Sequence, residues 1–288
     1  MSEATSPAQR PAGRRGGRPW ALEVLSTERI SAHLVRVRLG GAGFDGWFES
    51  ADAERIAKTD TYAKLLFAKP ELGLAQPYDL EELRGRLAPE DMPVMRTYTI
   101  RDVDPQARTL AIEFVVHGDE GIAGPWAANA APGDLLTLSG PGGQYAPAGG
   151  TAFHLILGDE SAVPAVAAAI EALDASARGL VLIEVAAEND ELALSAPDGV
   201  ELRWLHRGAA DYGVPLVDAV AALTRPDGEV DVFAHGERGA MKALRGILHG
   251  DWGIDRRALS LSAYWAKGRA EDRFQAEKRE PVGQIFED

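Results

Sequence analysis

Residues 153-FHLILGDESAVPAVAAAI-170 contain the two patterns that decide the fold. Phe153 to Leu157 is an unbroken apolar run, the signature of a strand buried on both faces. After Gly158-Asp159-Glu160 the period changes, and Val163, Val166, Ala167 and Ile170 recur at helical spacing. Pro164 falls near the helix start, where its missing N–H costs nothing.

The same grammar continues towards the C-terminus. Strand-like runs are 180-LVLIEVA-186, 201-ELRWL-205, 230-VDVFA-234 and 259-LSLSAYW-265. Between them lie helical patterns at 216-LVDAVAAL-223 and around Met241, Leu244 and Leu248. Apolar strands alternating with helices predict a parallel sheet covered on both faces.

Towards the N-terminus the period is two. Val35, Val37 and Leu39 alternate with Arg36 and Arg38, and Leu110, Ile112, Phe114 and Val116 share a face opposite Glu113. Shorter runs are 61-TYAKLLFA-68, 96-RTYTIRDV-103 and 135-LLTLSG-140, separated by turns such as Asp104-Pro105 and Pro132-Gly133-Asp134. Short alternating strands of this kind predict a small antiparallel barrel or sandwich. Residues 71–94 read as a short helical insertion. The predicted fold is therefore a β-barrel plus α/β: an N-terminal antiparallel barrel followed by a parallel-sheet domain. The expected boundaries are a disordered tail at 1–17, the barrel at 18–148 and the α/β domain with a C-terminal extension at 149–288. Pro147-Ala148-Gly149-Gly150 is the expected joint.

Composition narrows the function. The 288 residues contain no cysteine, which excludes disulfides, thiolate metal sites and a cysteine nucleophile. A net charge of −14 argues against nucleic acid. The arginines of the tail, Arg10, Arg14, Arg15 and Arg18, lack apolar anchors and read as a disordered leader. No 18-residue apolar stretch occurs, so membrane insertion is not expected and the location is expected to be cytoplasmic. The six histidines show no HxH or HxxxH spacing, so no protein metal site is expected. Ser139 and Ser161 lack the GxSxG elbow of a hydrolase.

A barrel followed by a parallel sheet leaves a cleft, and ligands of such sheets bind beyond the carboxyl ends of the strands. Those ends are Gly158-Asp159-Glu160, Ala186-Ala187-Glu188 and His235-Gly236-Glu237. In 96-RTYTIR-101, Arg96 and Tyr98 share a strand face, which suits a ligand with a phosphate and a flat ring; Thr97 and Thr99 add hydroxyls. The string reads equally well as a barrel strand with an exposed arginine. His117, Gly121 and Gly124 precede 126-WAANA-130, a glycine turn opening a short helix, which is either an anion site or an ordinary loop.

Together, in this order, the two strings resemble the siderophore-interacting protein family, from about residue 18 to about residue 272. Further matching motifs are Lys64-Leu65-Leu66, Pro132-Gly133-Asp134, Gly140-Pro141 with Gly143, 158-GDESAVPA-165, Glu184-Val185-Ala186, Trp204 with Arg207, Gly236-Glu237 and Tyr264-Trp265 with Gly268. There are departures. The turn before Trp126 reads Gly121-Ile122-Ala123-Gly124, where the family has Gly-Pro-Ala-Ser, so a serine hydroxyl is missing. Ser161 stands for a threonine, and Ala266 for a basic residue, followed by Lys267.

The resemblance implies an FAD-dependent ferric-siderophore reductase with a ferredoxin-reductase-like fold, an N-terminal flavin-binding barrel and a nicotinamide-binding-like sheet. It implies that Arg96 pairs with the FAD pyrophosphate, that Tyr98 packs on the flavin ring and that Thr99 sits near its reactive edge, with Tyr98 and Thr99 as catalytic residues. Thr97, His117, Gly121, Ile122, Ala123 and Trp126 are the other expected cofactor contacts. Lys64, Lys267 and Arg269 are the expected substrate-binding cations. Gly158, Asp159, Glu160, Ser161, Glu184 and Glu237 are expected around a nicotinamide, NADH or NADPH. The carboxylates after 180-LVLIEVA-186 favour NADH, although Arg207 could fold back onto a phosphate. A ferredoxin is the alternative electron donor. The rival readings are a diaphorase with another acceptor and a ferric-siderophore-binding protein without turnover.

Overall fold

The computed structural model describes residues 18–118 and 121–286. The expected disordered tail at 1–17 lies outside the described residues.

Six strands close an antiparallel barrel: β1 (Trp20–Arg29), β2 (Leu34–Gly40), β3 (Tyr62–Phe67), β4 (Val94–Asp104), β5 (Thr109–Val115) and β6 (Leu135–Gly142), in the order β1-β2-β5-β4-β3-β6. The alternation predicted for β2 and β5 is what fills it: Val37, Leu39, Leu110, Ile112 and Phe114 all point into one core with Leu65, Ile100 and Leu138. Register pairs Val37 with Ile112 and Arg36 with Glu113. The chain between β2 and β3 forms α1 (Phe44–Ser50) and α2 (Ala53–Ile56). The expected insertion carries α3 (Leu80–Arg84), whose Leu83 packs with Leu66 and Tyr78 as a satellite core. The short α4 (Ala123–Asn129) contains the predicted WAANA turn of helix.

Five parallel strands follow: β7 (Phe153–Asp159), β8 (Gly179–Val185), β9 (Val200–His206), β10 (Val230–Glu237) and β11 (Leu259–Trp265), in the order β11-β10-β7-β8-β9. The unbroken apolar run of β7 has the reason read from sequence. Ile156 faces α5 (Val163–Glu171), while Leu155 and Leu157 face α6 (Val214–Ala221) and α7 (Arg238–Arg245). Beyond β11 the C-terminal extension forms α8 (Glu271–Glu277), anchored by Phe274.

Side chains lock barrel and sheet together. Arg101 of β4 donates to Glu171 at the end of α5 at 2.9 Å. The joint is tied down as well, because Asp231 of β10 accepts from the Tyr145 hydroxyl at 2.9 Å and the Ala148 N–H at 3.1 Å.

Candidate active site

A cleft of about 560 Å³ opens between β3–β5 of the barrel and the carboxyl ends of β7 and β11. Strand β4 brings Arg96 and Tyr98, which the alternation put on one face, to its wall together with Thr97 and Thr99. Tyr98 rests on Phe114 of the core, ring centroids 4.6 Å apart, and burial pushes its hydroxyl pKa up, so it stays neutral. Thr99 faces Tyr264 across the cleft, and burial pushes the Tyr264 hydroxyl pKa up, so it stays neutral. Lys64 of β3 donates to Thr97 Oγ1 at 2.6 Å, and its half-buried position lowers its pKa.

The sheet wall is built around Asp159. Its Oδ1 accepts from the Ser161 N–H at 2.9 Å and from the Ser161 hydroxyl; its Oδ2 accepts from the Glu237 N–H at 2.7 Å and from Trp265 Nε1 at 2.8 Å. Gly236, at φ +155°, is what admits this carboxylate, since a Cβ there would lie 2.6 Å from Oδ2. Burial pushes the Asp159 carboxyl up to about 6 in spite of those donors. Asp159 thus sets the position of Trp265, which meets Tyr212 edge-on at 4.9 Å. Arg207 lies over the Tyr212 ring at 4.1 Å and is held between Glu160 at 3.6 Å and Glu184 at 3.5 Å.

The third wall comes from the C-terminal extension, with Glu271, Gln275 and Lys278. Asp272 of α8 accepts from Arg96 Nη1 at 2.7 Å. This carboxylate is 70% exposed, while Arg96 is 13% exposed, so a buried-side guanidinium is matched by an acid that solvent can take back. Lys278 is partly desolvated, which lowers its pKa, and the adjacent positive charge of Lys64 adds to the effect. No sequence pattern marked Lys278, because only the return of the extension across the cleft brings it to Lys64.

Several expected contacts stand elsewhere. Trp126 packs on Phe67 and Phe114 of the barrel core, and Gly121, Ile122 and Ala123 lie outside the lining of the cleft. Glu184 is fully buried and accepts from the Gly213 and Leu216 N–H groups, so it caps α6 instead of meeting a ribose. Glu237 likewise caps α7 through the Ala240 N–H. Gly158 serves close packing, since a Cβ would meet Val166 at 2.9 Å. Lys267 is exposed and paired with Asp211 at 2.7 Å, and Arg269 is paired with Glu277 at 3.0 Å, so neither faces the cleft. His117, Glu160, Asp159 and Ser161 do line it.

Residues 23–145 match the siderophore-interacting FAD-binding domain, and residues 151–268 match the siderophore-interacting protein domain. The chain belongs to the siderophore-interacting protein family. Among its relatives is the ferric vibriobactin reductase ViuB of Vibrio cholerae, 31% identical over 270 residues that cover 93% of this chain and 97% of that protein. Another is the NADPH-dependent ferric-chelate reductase of Escherichia coli, 33% identical over 251 residues, 85% of this chain and 91% of that one. The siderophore-interacting protein SipS from Aeromonas hydrophila has a TM-score of 0.78 at 29% identity, covering 93% of this chain and 99% of its own. This family member presents residues that fit FAD. An aromatic-lined slot faces a guanidinium whose present partner is an exposed carboxylate, the kind of anion a diphosphate replaces.

Proposed function

We propose that this protein reduces ferric siderophores, with electrons passing from NAD(P)H through FAD. The observation that carries the reading is the cleft itself: an aromatic slot bounded by Arg96 and edged by Lys64 and Lys278. When bound there, FAD would take two electrons as one hydride and release them singly. Arg96 would hold its diphosphate in place of Asp272, as a planar guanidinium does bidentately. Tyr98 and Thr99 would position its ring, and Tyr264 and Trp265 would cover it, the place of Trp265 fixed by Asp159. Asp159 and Ser161 shape the sheet side, where a nicotinamide would dock.

Lys64 and Lys278 are the substrate cations of this reading. Ferric siderophores are often anionic, and a chain of net charge −14 needs local cations to receive them. Hard oxygen donors favour Fe(III) over the softer Fe(II), so one electron loosens the chelate. Reduced nicotinamide is a cytoplasmic currency, and the reaction is placed there. Among the described residues no helix is long and apolar enough to cross a membrane.

The domains follow the same division of labour: barrel 18–148 for the flavin, 149–288 for the nicotinamide and for the extension that closes the cleft. Chelate-dependent oxidation of NADH and NADPH over a panel of ferric siderophores, with reduced ferredoxin as a third donor, tests the function. Ferrous production that requires the chelate supports it. Oxidation that proceeds equally well with quinones or dyes and is slow with every ferric chelate would make the protein a diaphorase.

A further inference from the structure

At the seam between barrel and sheet, His33, Glu160 and Asp190 each place a donor atom within 4.8 Å of the other two. They come from three separate turns: His33 precedes β2, Glu160 follows β7 and Asp190 follows β8. No spacing in the sequence betrays them, because topology alone brings them together. His33 Nδ1 and Asp190 Oδ1 are 2.7 Å apart. The second Asp190 oxygen, Oδ2, has no hydrogen-bond partner, although the side chain is only 2% exposed. Buried carboxylate oxygens are rarely left without a donor or a cation. His117 stands beside the group, its Nε2 3.5 Å from Glu160 Oε2 and its ring 5.1 Å from that of His33. Arg207 is shared by Glu160 and Glu184, and Asp190 beside Glu160 has no guanidinium of its own, so negative charge is in excess.

We propose that His33, Glu160 and Asp190 form a site for a divalent first-row transition ion, and that the ion it takes is the ferrous product of the cleft. The identity of the ion, unlike the site, rests on the reductase reading. Imidazole and carboxylate together suit such ions. Donors about 2.1 Å from a metal stand roughly 3 Å apart when adjacent, which the His33–Asp190 separation of 2.7 Å approaches, and all three donors lie within 4.8 Å of one another. His117 and Glu160 also line the cleft, so the site opens on the place where iron is reduced. The transfer is a ligand exchange with no change of oxidation state. Fe(II) leaves the siderophore oxygens, which pick up protons, and the ion takes the place of the hydrogen between His33 Nδ1 and Asp190, the imidazole keeping its hydrogen on the other ring nitrogen. Removing Fe(II) in this way pulls a reduction forward that is otherwise poised by the chelate.

The test is an anaerobic titration of the full-length flavoprotein with Fe(II), and with Co(II) for its visible bands, without chelate or nicotinamide. Wild type is expected to bind one ion. Asp190→Asn, which keeps an acceptor for His33, and His33→Ala, at a side chain 38% exposed, are each expected to weaken binding at least tenfold with FAD content unchanged. The site is refuted if wild type takes up neither ion, if both variants bind as wild type does, or if Mg(II) competes as well as Co(II). Ion binding that fails to appear in a protein that still reduces ferric chelates would sink this site alone. Ion binding in a protein that reduces no chelate would uphold the site and sink the reductase reading.

Discussion

Asp159 accepts four hydrogen bonds and touches three strand ends, yet sequence reading placed it beside a ligand. It lines the cleft and also orients Trp265. Asparagine would turn an amide N–H₂ towards donors, leaving about 1–3 kcal/mol of unsatisfied polar groups. Its folded pKa of about 6 lies above the ordinary 3.8, so protonation favours the fold. That contribution is complete below the ordinary value and is lost as pH rises through 6. Urea unfolding should therefore find Asp159→Asn less stable than wild type, with a gap that is widest at and below the ordinary carboxylate value of 3.8 and narrows as pH rises to about 6; a gap that widens would reverse the assignment. Lys64→Ala and Lys278→Ala should each raise KM for an anionic ferric chelate about tenfold, roughly one charge-assisted hydrogen bond, while Lys267→Ala stays at wild type. Equal effects at Lys267 would move the acceptor out of the cleft. Arg96 to Thr99 were legible because one strand carries them all. Lys278 was not, because its neighbour Lys64 lies in the other domain. Glu184 was misread because a strand-end acid looks the same whether it caps a helix or meets a sugar.

Helix α8 is the element that sequence reading left as a mere extension. Three arginines converge on its last residue: Glu277 accepts from Arg238 at 2.7 Å, Arg273 at 2.9 Å and Arg269 at 3.0 Å. At its first turn Asp272 pairs with Arg96, the guanidinium reserved for phosphate. The helix is thus pinned at one end, and at the other it holds the guanidinium that the proposed reading gives to the FAD diphosphate. Asp272→Asn should tighten FAD binding about threefold, since an exposed pair is worth under about 1 kcal/mol; fluorescence titration of the apoprotein measures it, and weaker binding would mean that Asp272 supports the site. Glu277→Gln should speed proteolysis C-terminal to β11, and an unchanged digest would show that Phe274 alone holds the helix. Among the strands, β1 escaped notice because its second half, Ser26 to Arg29, is polar and exposed, so the alternation of Leu22 and Val24 breaks off. The sheet was plain because its central strands β7, β8 and β10 are buried on both faces and carry few polar residues, whereas β9 at the edge carries Glu201 and Arg203.

The two domains are fixed by Arg101–Glu171, Tyr145–Asp231 and His33–Asp190, contacts that join residues far apart in the chain. Strand and helix periods could announce two domains but not the seam, which depends on how loops meet. The seam also bears on the electron donor. Arg207 is locked beneath Tyr212 and between two carboxylates, and the turn after β8 carries Glu188, Asp190 and Glu191. A 2′-phosphate meets acids there, so NADH should reduce the bound flavin faster than NADPH. The whole account turns on whether a reduced flavin in this cleft hands electrons to siderophore iron. Double-mixing anaerobic stopped flow follows this in one run: nicotinamide first bleaches the flavin, then ferric siderophore is added with a ferrous indicator. The account predicts that the flavin colour returns in step with the ferrous signal, one ferrous ion for each electron given up, and more slowly in Lys64→Ala. A flavin that stays reduced in the presence of every ferric siderophore, yet reoxidises when oxygen is admitted, would contradict it.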